Sequence, residues 1–223
     1  MKYDPQKHHR RSIRLQGYDY SQAGAYYVTI VVHGRECLFG NVVNGVMRLN
    51  QFGQIVYRAW FDLPNHYPHV VLGAFCIMPN HAHAIIVLID GRRGGSITND
   101  ENLQTISISK NAPIANDPET HPYVPTNDVP LQTISISKNA PIANNPETRP
   151  YVRHPLSEIV RAFKSFSAKR INALRKTQGI PVWQRNYYEH IIRNDDEYNR
   201  IHLYIESNPA HWMEDDENPE KKP

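Results

Sequence analysis

Residues 78–88 read "MPNHAHAIIVL". A Pro-Asn pair is followed by two histidines one residue apart and then by an unbroken apolar run. Pro79-Asn80 is turn chemistry, and the apolar run after it has the length and β-branched content of a buried strand. The run before it, "VVLGAFCIM" (residues 70–78), has the same character. The two together predict an antiparallel hairpin with its turn at Pro79-Asn80. On a strand successive side chains alternate, so His81 and His83 face one way and Ala82 the other. Two imidazoles on one face have two readings: core packing with satisfied ring nitrogens, or half of a metal site on a rigid strand. Both stand on these residues alone.

Working outward, "AYYVTIVVH" (residues 25–33) is β-branched and aromatic and predicts a further strand. "GVMRLN" (residues 45–50) predicts a short strand paired across an Asn44-Gly45 turn. "QIVYRAWFDLPNHYP" has helical spacing at Ile55, Ala59 and Leu63, with Pro64 expected to stop it. "PLSEIVRAFKSFSAKRINALRKTQG" places Leu156, Ile159, Val160, Phe163, Phe166, Ile171 and Leu174 on one helical face. Arg161, Lys164, Lys169, Arg175 and Lys176 fall opposite. "VWQRNYYEHIIR" (residues 182–193) predicts another strand. "NDDEYNRIHLYIESNPAHW" opens with Asn194 three residues before Glu197, a capping pattern, and Pro209 is expected to end that helix. The order β-β-α-β-β-insert-α-β-α predicts a ferredoxin-like α+β fold, an antiparallel sheet with helices on one face.

The insert in that order is a duplication. "LQTISISKNAPIANDPETHPYV" (residues 103–124) recurs as "LQTISISKNAPIANNPETRPYV" (residues 131–152), differing only at Asp117/Asn145 and His121/Arg149. Two copies fall short of the roughly three that a stacked solenoid needs. Their Pro, Asn, Ser and Thr content leaves no face to bury, so residues 91–152 are expected to be a flexible insert. The expected division is 1–90 and 153–212 as two halves of one domain, 91–152 as the insert, and 213–223 as an acidic tail.

The 223 residues carry a formal net charge of +3, too small to define a partner, but its distribution is uneven. Arg10, Arg11 and Arg14 make the N-terminal arm basic, and the 156–176 helix carries a basic face. Both suit a polyanion as well as they suit a solvated surface. Cys37 and Cys76 form no metal clip or disulfide framework, so a reducing compartment is expected. The N-terminus has no apolar leader, and no run approaches the roughly 18 apolar residues of a membrane span, so a cytoplasmic protein without a membrane partner is expected.

Competing chemistries lack their parts. There is no G-x-x-x-x-G-K-[ST] phosphate cradle, no H-E-x-x-H, no G-x-S-x-G and no acidic cluster for a two-metal nuclease. Tyr204 and Asn208 lie four residues apart and share a helix face, outside the apolar stripe of Tyr198, Ile201 and Ile205. On spacing alone a tyrosine there reads as a surface residue or a capped core phenol before it reads as a catalytic group. As a nucleophile, a phenol with an ordinary pKa near 10 needs an ion that draws charge from its electrophile.

Four blocks together resemble a known family. "FCIMPNHAHAIIVL" resembles the His-hydrophobic-His signature of the HUH single-tyrosine transposases, with Ala82 as a small middle residue. "VWQRNYYEHIIRNDDEYNRIHLYIESNPAHW" is similar to the tail of their REP-associated tyrosine transposase branch. "RRSIRLQGYDYSQAGAYYVTI" and "LSEIVRAFKSFSAKRINAL" also resemble segments of that family. The resemblance covers most of the chain except the insert and the acidic tail. It implies that His81 and His83 bind Mg²⁺ or Mn²⁺, that Tyr204 is the nucleophile, and that Asn208 supplies a third ligand. Tyr187, Tyr188 and Tyr198 are the rival tyrosines. It implies cleavage and rejoining of single-stranded DNA, at hairpin-containing repeats, through a 5′-phosphotyrosine link, by a monomer or homodimer. Arg10, Arg11, Arg14, Arg161, Lys164, Lys169, Arg175 and Lys176 are the expected DNA contacts. The alternatives are a DNA-hairpin binding protein that keeps the fold without the chemistry, and a metal hydrolase of small molecules.

Overall fold

The computed structural model describes residues 14–15, 17–90 and 153–221. In chain order the elements are β1 (Gly24–Val31), β2 (Gly40–Val43), β3 (Val46–Leu49), α1 (Gln51–Phe61), α2 (Leu63–His66), β4 (Val70–Ile77), β5 (His81–Leu88), α3 (Leu156–Leu174), β6 (Tyr188–Ile192) and α4 (Asp195–Ser207). A 3-10 segment, Asn208–Glu214, follows α4 directly. The expected insert, the N-terminal arm with Arg10 and Arg11, and residues 222–223 lie outside the described residues.

Four strands build one sheet in the order β4-β5-β1-β6, every neighbouring pair antiparallel. β2 and β3 form a separate two-stranded ribbon across Asn44-Gly45, where both residues take positive φ as a tight hairpin turn requires. The expected hairpin at Pro79-Asn80 is present: β4 and β5 pair from Ile77↔Ala82 back to Val70↔Leu88, with an irregularity between Leu72 and Phe75. β1 then pairs with the other side of β5, so the histidine strand lies in the sheet interior with a neighbour on each edge. Every residue of β5 is buried. A strand covered on both faces reads as a continuous apolar run, which is why only its two histidines stand out in the sequence.

The α+β class is as expected, but the helices are not confined to one face. One face of the sheet, carrying Tyr26, Val28, Ile30, Ala84, Ile86 and Leu88, packs against Val56, Ala59 and Trp60 of α1 and Ile159, Val160 and Phe163 of α3. The other carries Ala25, Cys76, Ile85, Val87 and Ile192 and is covered by Tyr198 and Ile205 of α4. The alternation of β5 divides its residues between these layers, and the histidines fall on the α4 side. Because β5 is apolar on both faces, its sequence pattern could not show that a helix lay on each.

Smaller differences concern proline and charge. Pro64 does not stop a helix. The break comes at Asp62, and Pro64 sits in the first turn of the short α2, where its missing N–H costs nothing. The strand expected over residues 182–193 is regular only from Tyr188, although Trp183 makes an isolated bridge to Val32. In α3 the predicted apolar face is buried or half-buried except Leu174, which the last turn leaves exposed. The acidic stretch after residue 212 is docked on the body: Arg35 pairs with Glu217 at 3.0 Å, and Asn218 is buried.

Candidate active site

The two histidines of β5 point their Nε2 atoms at each other, 2.9 Å apart, and both rings are buried. Their other ring nitrogens decide what those Nε2 atoms carry. The buried Asn80 donates its amide to the carbonyls of Arg35 (3.1 Å) and Glu217 (2.6 Å). Its Oδ1 is thereby turned to His81 Nδ1 at 2.8 Å, so Nδ1 carries the proton and His81 Nε2 presents a lone pair. His83 Nδ1 lies 2.9 Å from Thr29 Oγ1 and 2.8 Å from Tyr27 Oη, and Thr29 Oγ1 in turn donates to Tyr27 Oη at 3.0 Å. With its proton on Nδ1, donated to Thr29, His83 presents a bare Nε2; with its proton on Nε2, it donates that proton to the Nε2 of His81.

In the first tautomer two lone pairs face each other in a dry site, an arrangement that a cation between them satisfies. A proton is a poor candidate, because burial pushes His81 down to about 3 and His83 well below the ordinary histidine value. Asp215 approaches the same point, with Oδ2 3.6 Å from His81 Nε2 and its side chain almost fully covered. With His81 neutral this contact is not an ion pair at neutral pH. The ligand atoms of His81, His83 and Asp215 all lie within 4.8 Å of one another, a separation that one metal ion can bridge. The donors fit a divalent cation, and the hydrogen-bonded Nδ1 atoms provide the outer support that metal-bound histidines ordinarily have.

Tyr204 projects from α4 beside this cluster. Its ring is 5.4 Å from that of His83 and 6.4 Å from that of Tyr27, and the residue is 48 % exposed. Desolvation raises its pKa, while hydrogen bonds from Asn208 and Tyr27 pull the other way by favouring the phenolate. The hydrogen bonds run from His83 through Thr29 to Tyr27, whose ring stands beside that of Tyr204. Asn208 is buried at the C-cap of α4, and its Oδ1 has no hydrogen-bond partner among the described residues. An orphaned, buried amide oxygen is an acceptor available to a cation.

The rival tyrosines are placed differently. Tyr198 is packed under α4 and Tyr187 bonds to Arg14 at 2.8 Å, both pushed up chiefly by burial. Tyr188 is exposed on β6, beside Tyr27.

His81, His83, Tyr204 and Asn208 thus gather on the α4 side of the sheet, whereas the basic residues do not join them. Arg14 is held by Glu189 at 2.9 Å. Arg161, Lys169 and Lys176 are exposed along α3 and its C-terminal end, the element that packs on the opposite face. Lys164 turns inward and donates to the carbonyls of Gln184 (2.6 Å) and Arg185 (3.1 Å); burial lowers its pKa to about 8. Arg175 is spent on Asn172 at 2.8 Å.

Sequence reasoning missed Asp215, Asn80, Tyr27 and Thr29 as parts of the site. Tyr27 and Thr29 follow from the β1–β5 register, which sets Thr29 opposite His83. Asp215 had no local signal, since an acidic run looks the same whether solvated or folded back.

The geometry describes a protein in which two histidines and a carboxylate that could hold a metal ion lie beside a tyrosine. The chain is 35 % identical over 214 residues to an uncharacterized protein of Haemophilus influenzae Rd, with 96 % of each chain covered, and belongs to that protein's family. No protein-family model matches it. Among solved structures, a REP-associated tyrosine transposase bound to a REP hairpin aligns with a TM-score of 0.47 at 15 % identity, covering 88 % of this chain and 72 % of that one. A candidate transposase of Deinococcus radiodurans R1 aligns with a TM-score of 0.39 at 13 % identity, covering 86 % and 95 %.

Proposed function

We propose that the protein is a transposase-like enzyme that cleaves and rejoins single-stranded DNA, with Tyr204 as nucleophile and His81, His83 and Asp215 as protein ligands of a divalent cation. The observation that carries this reading is the convergence of two histidine Nε2 atoms and a covered carboxylate next to an accessible phenol. Asn208 has two roles open to it. It favours the Tyr204 phenolate, and its unpartnered Oδ1 is free to join the ligand set. Two imidazoles favour Mn²⁺ over the harder Mg²⁺. The chemistry such an ion supplies when bound is neutralisation of charge on the phosphate under attack.

The chain's own residues do the rest. Tyr204 Oη forms a bond to phosphorus as the bond from phosphorus to the 3′ oxygen breaks, and the phenol proton is lost as the freed 3′-OH gains one. The phosphodiester energy is kept in the tyrosyl link, so a second 3′-OH can reverse the step without a nucleotide cofactor. This explains the lack of a phosphate cradle in the sequence. Tyr27 and Asn208, beside Tyr204, favour its phenolate and fix its aim.

The test uses end-labelled hairpin oligonucleotides with single-stranded flanks and Mn²⁺. A covalent protein–DNA band is expected with wild type, lost on chelation and absent in Tyr204→Phe. Salt-sensitive binding with no covalent band under any divalent metal would establish the non-catalytic DNA-hairpin binding protein instead.

A further inference from the structure

At the start of β6 two neighbouring tyrosines leave the chain on opposite sides. Tyr187 packs toward the α3 layer and lines a groove of about 1150 Å³ with Arg14, Arg161, Lys164 and Arg185. Tyr188 stands opposite Thr29 in the β1–β6 register, so it shares the sheet face of His83 and Tyr204. It is 48 % exposed, and its hydroxyl makes no hydrogen bond among the described residues. Its ring meets that of Tyr27 edge-on, 6.0 Å away at 66°. Tyr27 meets Tyr204 on its other side, 6.4 Å away at 81°. The half-buried Tyr27 is thus flanked by two exposed phenol rings, one of them the proposed nucleophile. β6 is an edge strand, and among the described residues no further strand pairs with its outer side.

A large, exposed aromatic without a polar partner leaves a flat apolar face in water beside a site that handles phosphate. The ligand that joins a flat π-face to a phosphate is a nucleotide. On the other side of the same edge the exposed Arg161 and Arg185 line the groove, with Glu189 there paired to Arg14. We propose that Tyr188 is the stacking platform for the nucleobase adjoining the phosphate presented to Tyr204, a positioning residue that sets where along a single strand the cut falls. The inference rests on the single-stranded DNA reading above and deepens it. Stacking on an aromatic tolerates any base, so Tyr188 confers position along the strand more than sequence preference.

The test uses a hairpin oligonucleotide whose single-stranded flank carries 2-aminopurine at successive positions, with Tyr188→Leu and Tyr188→Phe beside wild type. Stacking at one position should quench the probe with wild type and with Tyr188→Phe, and not with Tyr188→Leu. Tyr188→Leu should also raise KM about tenfold to a hundredfold, with kcat changed far less and the melting temperature unmoved. Equal quenching and equal KM in Tyr188→Leu would overturn the inference while leaving the covalent chemistry of Tyr204 intact. Quenching that depends on Tyr188 without any covalent band would uphold the platform and overturn the enzyme. A wild-type protein that binds no single-stranded DNA would overturn both.

Discussion

A histidine whose burial outweighs its charge partners is a liability below neutral pH, and this molecule buries two of them face to face. In the unfolded chain each takes up a proton near the ordinary value of 6.5, whereas in the folded protein His81 resists protonation down to about 3. Between those values the unfolded state binds more protons than the folded one, so stability falls as pH drops below about 6.5. One such histidine contributes a slope of about 1.4 kcal/mol per pH unit in that window. Thermal or urea unfolding of metal-free protein from pH 7 to pH 4.5 should show this decline, with a shallower slope in His81→Gln. A decline equally steep in the variant would place its origin elsewhere. At this scale the sequence was informative about identity and silent about state. "HAH" on a strand offers two candidate ligands, but only the structure shows that the Nδ1 atoms are engaged by Asn80 and Thr29 and that the Nε2 atoms converge.

Between the elements, the Pro79-Asn80 turn ties three parts of the chain together. Asn80 orients His81, holds the loop at Arg35, and clasps the carbonyl of Glu217, two residues beyond Asp215. Asp215 is itself fixed by the Glu217 N–H donating to its Oδ1 at 2.7 Å. Removing that amide loosens both the imidazole and the carboxylate. Asn80→Ala is therefore expected to weaken Mn²⁺ binding, measured by calorimetry, by about 10–100-fold, as loss of an outer-shell partner commonly does. Unchanged affinity would show that the docked segment does not serve the metal site. The hairpin, the amphipathic α3 and the capped α4 were legible because each is written in local periodicity. Asn194 does accept from the Glu197 N–H at 2.8 Å, as its spacing suggested. The docking of residues 208–221 was not legible. It depends on Asn80 and Arg35, more than a hundred residues away, and an acidic stretch has no periodicity from which to infer it.

For the whole molecule, the proposed site is assembled from β1, β5, α4 and the segment after α4, with α3 behind the sheet as support. Two of these parts lie on either side of residues 91–152, yet the flanking chain ends meet: Asp90 and Arg153 form an ion pair, and the carbonyl of His154 lies 3.0 Å from His69 Nε2. Replacing residues 91–152 by a short Gly-Ser linker should thus preserve both the melting temperature and covalent band formation, and a variant that fails to fold would assign that segment a structural part. The α+β class was readable from the order of strands and helices. The placement of α4 on the histidine face was not, because a doubly covered strand hides which side each helix takes. The central claim is that this assembly makes Tyr204 a nucleophile toward single-stranded DNA. Peptide mass spectrometry of the Mn²⁺-dependent protein–DNA species, after proteolysis and nuclease trimming, tests it most directly. The account predicts a nucleotide attached through its 5′ phosphate to the peptide bearing Tyr204; attachment at Tyr188 or another residue, or no attachment at all, would contradict it.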